Sequence, residues 1–123
     1  MNGNNILADT NILIYFLAGN TQIKSIFMDN EITVSFISEL ELLSFPGIKK
    51  QDEQIIQQML NGCRVVAMSE EIKLRTIQLK RKYKLRLPDA NVAATAWYLD
   101  IPLLTADKDF APVSQINVIL LET

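Results

Sequence analysis

The sequence predicts an α/β fold, a three-layer sandwich in which a central, mainly parallel sheet of about five strands carries helices on both faces. Three observations predict it. Short β-branched or apolar runs alternate with longer segments of helical periodicity from one end of the chain to the other. No internal repeat, low-complexity tract or linker interrupts them. A length of 123 residues supports one hydrophobic core but not two, so residues 1–123 are expected to form a single domain.

The elements follow in order. Segment 5–9, NILAD, reads as a buried first strand ending on an acid. ILIYFLA (12–18) is a helix that stops near Gly19, and TQIKSIFM supplies a second short helix. ITVSF (32–36) is β-branched and aromatic, hence the second strand, and SELELLSF (38–45) is a short helix closed by Pro46 and Gly47. In QDEQIIQQMLNG, Ile55, Ile56, Met59 and Leu60 recur at helical spacing up to Gly62, and RVVAM (64–68) is the third strand. From Ser69 to about Leu85, Ile72, Ile77, Leu79 and Tyr83 are interleaved with basic residues, as in a long half-exposed helix. The next helix opens at Pro88, where a missing N–H costs nothing, and its small residues Ala93 and Ala96 suit close packing. PLLTAD (102–107) is the fourth strand and NVILL (117–121) the fifth, at the sheet edge.

Composition narrows the chemistry. The chain has no histidine, which removes Ser/His/Asp and Cys/His nucleophilic machinery, and its single cysteine, Cys63, excludes an internal disulfide or a cysteine zinc cluster. No apolar stretch approaches the roughly 20 residues of a membrane span, and no signal-peptide pattern is visible, so a cytoplasmic protein is expected. The net charge of −2 argues weakly against a nucleic-acid partner, but seven of the 12 basic residues crowd into residues 73–86. Those charges are either a solvated helix face or contacts to the phosphates of a nucleic acid, for which Lys80, Arg81, Lys82, Lys84 and Arg86 are the candidates.

The acids give the sharper signal. In an open α/β sheet, ligands bind beyond the carboxyl ends of the strands. Asp9 closes strand one, Glu41 lies just past strand two, Asp89 opens the helix before strand four, and Asp107 closes strand four. Singly, each has a plain structural account: a helix cap for Asp9, a Ser38–Glu41 capping box, a helix-dipole contact for Asp89, a turn for Asp107. Jointly, carboxylates at one sheet end repel one another unless a cation neutralises them. Oxygen-only ligands select Mg²⁺ or Mn²⁺ over zinc, and such an ion can activate water and clamp phosphoryl oxygens. A phosphodiester is the substrate that uses both properties.

The stretches LADTNILIYFL, TVSFISELELLSFPG and LRLPDANVAATAWYLDIPLLTADKDF resemble the PIN domain, specifically the VapC-type toxin ribonucleases of toxin–antitoxin pairs, over essentially the whole chain. The resemblance implies a divalent-metal endoribonuclease that leaves 5′-phosphate and 3′-hydroxyl ends and inhibits translation. Asp9, Glu41, Asp89 and Asp107 would be its catalytic and metal-binding acids, with Asn11 and Thr105 as polar supports. Glu41 is preferred to Glu39 because the family's glutamate immediately precedes Leu-Leu, and Asp109 is a peripheral candidate. It also implies a second copy of the chain and a small antitoxin as partners. Trp97, Tyr98 and Leu99 read as core or dimer surface rather than as a base-stacking platform. A phospho-acceptor receiver domain is disfavoured, since Ser69-Glu70-Glu71 follows strand three and no lysine follows strand five. An RNA-processing PIN nuclease and a non-catalytic PIN-like binding protein stay open as alternatives.

Overall fold

A computed structural model describes residues 4–122. Five strands form one sheet: β1 (Asn5–Ala8), β2 (Glu31–Ser35), β3 (Arg64–Val66), β4 (Leu103–Thr105) and β5 (Val118–Leu120). Their order is β3-β2-β1-β4-β5, and all four pairings are parallel. Six helices connect them: α1 (Thr10–Leu17), α2 (Thr21–Asp29), α3 (Phe36–Leu43), α4 (Lys50–Asn61), α5 (Glu70–Lys82) and α6 (Leu87–Leu99). A 3₁₀ turn, Lys108–Phe110, follows β4. Among the described residues no helix is long and apolar enough to cross a membrane.

Alternation along the central strands explains the two helical layers. Leu7 and Leu103 point into a core with Leu79, Ala93, Phe110 and Val113, whereas Ile6, Ala8 and Leu104 point the other way, toward Ile12, Leu13, Val34 and Leu60. Strand β1 is central, so its neighbours enclose it from both sides. The chain first winds from β1 to β2 and β3, then crosses to β4 and β5 on the opposite side of β1. This reversal puts a topological switch point, where such sheets bind ligands, between the carboxyl ends of β1 and β4.

Several element ends differ from the sequence reading, α1 and most strands by one or two residues, with β4 covering 103–105 of the expected 102–107. Helix α3 begins at Phe36, because Ser35 rather than Ser38 caps it: Ser35 Oγ accepts the Ser38 N–H at 3.2 Å. The proposed Ser38–Glu41 capping box is therefore absent, and the Glu41 carboxylate serves elsewhere. Helix α5 ends at Lys82, with Tyr83 extended and its hydroxyl bonded to Gln115 Oε1 at 2.8 Å. This anchor turns Lys84 and Arg86 out of the helix into the α5–α6 connection. Strand β3 covers only residues 64–66 of the expected 64–68.

Helix α6 is buried without a break from Ala90 to Ala96, and Ala90, Ala93 and Ala94 have no exposed surface. Small side chains let α6 lie between the sheet and α5, where a longer side chain has no room. Ala93→Leu is accordingly expected to lower stability by about 1–3 kcal/mol, measured by urea unfolding; an unchanged midpoint would show slack in this layer.

Candidate active site

Local rules bring the acids together. At the end of β1 the chain turns into α1, and Asp9 is the cap: its Oδ1 accepts the Ile12 N–H at 2.9 Å. Its amide donates to Leu104 O at 3.2 Å, which holds the end of β1 against β4. From β4 the Thr105 hydroxyl donates to Asp9 Oδ2, and Thr105 Oγ1 in turn accepts the Asp107 N–H at 3.0 Å. Asp107 caps the 3₁₀ turn, its Oδ1 accepting from Asp109 N at 2.9 Å. Asp89 occupies the first turn of α6, where the helix dipole favours a negative charge.

Glu41 comes from α3, nearly a turn beyond Ser38, and is held by Thr10 in the first turn of α1. Thr10 Oγ1 donates to Glu41 Oε1 at 2.7 Å and is hydrogen-bonded to Ser38 Oγ at 2.9 Å. Thr10 was not singled out in the sequence. Its only signal was adjacency to Asp9, whereas its partner lies 31 positions away.

Asp9, Glu41, Asp89 and Asp107 all line one cleft of about 270 Å³, with Asn11 at its edge and Arg86 as its one basic lining residue among the described residues. Thr105 is fully buried beneath the cleft, on Asp9. Glu39 and Asp109 do not line it, nor do Lys80, Arg81, Lys82 and Lys84, which are all exposed. Among the described residues no three acidic side chains stand close enough to enclose an ion between them.

The electrostatics are uneven. Asp9 is only 5% exposed, and burial, its largest influence, pushes its pKa up. The Thr105 and Ile12 hydrogen bonds pull it down, and the charges of Asp89 and Asp107 push it up further. Asp89 instead has a cation: Arg86 Nε lies 3.0 Å from Oδ2 and Nη2 3.4 Å from Oδ1. Arg86, expected among the RNA-contacting residues, thus lines the acidic cleft from its solvent side.

Comparison with known proteins agrees with this architecture. The PIN domain matches residues 6–115, so the chain belongs to the PIN domain family. A chain of a toxin–antitoxin complex from Klebsiella pneumoniae is 31% identical, with a TM-score of 0.81 over 93% of this chain and 95% of that one. The fold also matches chains of VapBC-1 from nontypeable Haemophilus influenzae (22% identity, TM-score 0.80, 94% of this chain and 97% of that one) and of DNA-bound VapBC from Salmonella typhimurium (17%, 0.83, 97% and 98%). No curated protein gives a significant match.

The raised Asp9 pKa predicts a pH dependence. A carboxyl whose folded pKa exceeds its unfolded value contributes stability below the unfolded pKa and loses it as pH rises through the folded one. Asp9→Asn cannot ionise, so in EDTA its melting temperature relative to the unsubstituted protein should climb between pH 4 and pH 7. Any constant penalty from a weakened Thr105 bond cancels from that comparison; a difference that stays flat would show that Asp9 burial carries no charge penalty.

Proposed function

We propose that the chain is a divalent-metal-dependent endoribonuclease, the cytoplasmic toxin of a VapBC-type toxin–antitoxin pair that inhibits translation by cutting RNA. The observation that carries this reading is the convergence of Asp9, Glu41, Asp89 and Asp107 on one cleft at the sheet's switch point. Family membership and 31% identity to a chain of a toxin–antitoxin complex support it.

The donor chemistry fits Mg²⁺ or Mn²⁺. Every candidate ligand is an oxygen, and four carboxylates face one guanidinium, leaving the cleft with an excess of negative charge. Mg²⁺ commonly takes only one or two carboxylates and keeps several waters, so the lack of a preformed cage of three acids is no obstacle. Asp9, Asp89 and Asp107 would hold the ion, with Glu41 and Asn11 at its margin. When bound, the dication supplies an acidified water and charge neutralisation at the phosphoryl oxygens.

The chain's own residues do the rest. Thr105 and the Ile12 amide hold the Asp9 carboxylate in one pose, so no reorganisation is needed there during the reaction. Thr10 occupies Glu41 Oε1, which leaves Oε2 to take the proton of the attacking water. Exposed Phe45 and Ile14 on the cleft wall offer apolar surface to an unpaired base. Lys80, Lys82 and Lys84 supply phosphate contacts outside the acidic field, giving salt-dependent affinity with little sequence preference. An antitoxin segment would act by covering the same cleft.

A second copy of the chain is the proposed homodimer partner, and α5 offers the surface. Glu70, Leu74, Ile77 and Arg81 fall within about 60° of one another around the helix, opposite buried Ile72, Thr76 and Leu79. Leu74 and Ile77 are 51% and 39% exposed despite being apolar. The stripe is self-complementary: two α5 helices packed antiparallel pair Leu74 with Ile77 twice and Glu70 with Arg81 twice. An apolar centre flanked by opposite charges is what a two-fold contact requires.

Purified protein should cleave structured RNA with Mg²⁺ or Mn²⁺, lose cleavage in EDTA, and slow by about 10²- to 10³-fold in Asp89→Asn, the scale of losing one electrostatic stabiliser. Cleavage that survives both changes would contradict the site. Sedimentation should find a dimer that Leu74→Glu dissociates. Arg81→Glu should weaken it, and Glu70→Arg added to Arg81→Glu should restore it; a monomeric parent at tens of micromolar (roughly the range where weak interfaces still form) would rule out the α5 contact.

A further inference from the structure

We infer that Arg86 is a resident, exchangeable counterion of the acidic cleft: it neutralises Asp89 until a dication arrives, then turns its guanidinium to a phosphate of the substrate strand. The inference deepens the nuclease reading and rests on it.

Arg86 is the N-cap residue of α6 by backbone geometry, yet its side chain makes no capping hydrogen bond. It reaches three residues forward, and its Nε and Nη2 face the two oxygens of Asp89. This is the fork geometry by which arginine grips a planar anion, and a phosphate presents the same pair of acceptors. The influence of the other acids is also felt: the Asp89 contact, then the charges of Glu41 and Asp107, favour the protonated guanidinium.

Exposure determines what kind of ion pair this is. The Asp89 side chain is 18% exposed and that of Arg86 73%, so the guanidinium covers the carboxylate from the solvent side. An ion pair so open to water adds little net stability and is easily exchanged. It therefore suits a replaceable partner better than a structural brace. A dication drawn to Asp89 and Asp9 would repel the guanidinium by like charge and free it. Its mouth position then puts it where a phosphate must pass to reach the acids. Lys80, Lys82 and Lys84 cannot substitute for it, since none of them lines the cleft.

The test compares the full-length chain with Arg86→Gln and Arg86→Lys. Calorimetric titration with Mn²⁺, without RNA, should show Arg86→Gln binding roughly two- to fivefold tighter, the scale of removing an exposed ion pair. In EDTA the Gln variant should melt below the unsubstituted protein, and saturating Mn²⁺ should close that gap. With RNA, its KM should rise more than its kcat falls, and Arg86→Lys should recover part of the loss. A merely structural arginine would leave Mn²⁺ affinity unchanged and lower the melting point equally with and without the ion. Equal Mn²⁺ affinities overturn the counterion role and leave the nuclease reading standing; an unsubstituted chain that takes up no Mn²⁺ overturns both.

Discussion

A carboxylate with almost no access to water sits at the end of the central strand, and the rest of the cleft is organised around it. Asp9 is held by one amide and one hydroxyl, and among the described residues no cation is paired with it. Burying a charged oxygen is expensive unless charge or hydrogen bonds compensate, and two neutral donors compensate only in part. The position admits no escape, because β1 is flanked by strands and covered on both faces. A cleft built around such a residue attracts positive charge, and the proposed dication and the Arg86 guanidinium are two answers to the same deficit.

Plain structural duties and functional ones coincide here rather than compete. Asp9 caps α1, Asp107 caps the 3₁₀ turn, and Asp89 lies in the first turn of α6. Each duty fixes a carboxylate at an element's start, and the parallel sheet brings those starts to one edge. The hydrogen bonds that cap helices thereby orient the acids. This economy explains why each acid looked ordinary alone and only the set pointed to chemistry.

Much of this was legible in the sequence. The five strands, their parallel arrangement and the edge position of β5 follow from short apolar runs separated by helical periodicity, a signal carried by neighbours along the chain. Details that depend on distant partners were not. Ser35 and Ser38 are equally good caps on paper, and the choice between them rests on where β2 stops. Tyr83 ends α5 because Ser114 and Gln115 bind its hydroxyl. Thr10 meets Glu41, and Arg86 leaves the basic helix face for the acids, through contacts that no local pattern displays. The Arg86–Asp89 spacing of three residues was the one available hint, since it matches a helix's first turn.

Anomalous diffraction from crystals grown with Mn²⁺ addresses the central claim directly, because it locates the ion without reference to activity. The account predicts a strong peak in the cleft at coordination distance from Asp9 and at least one of Asp89, Asp107 or Glu41, with the Arg86 guanidinium swung off Asp89. A saturated crystal with no peak in the cleft, and with Arg86 still closed on Asp89, would contradict it.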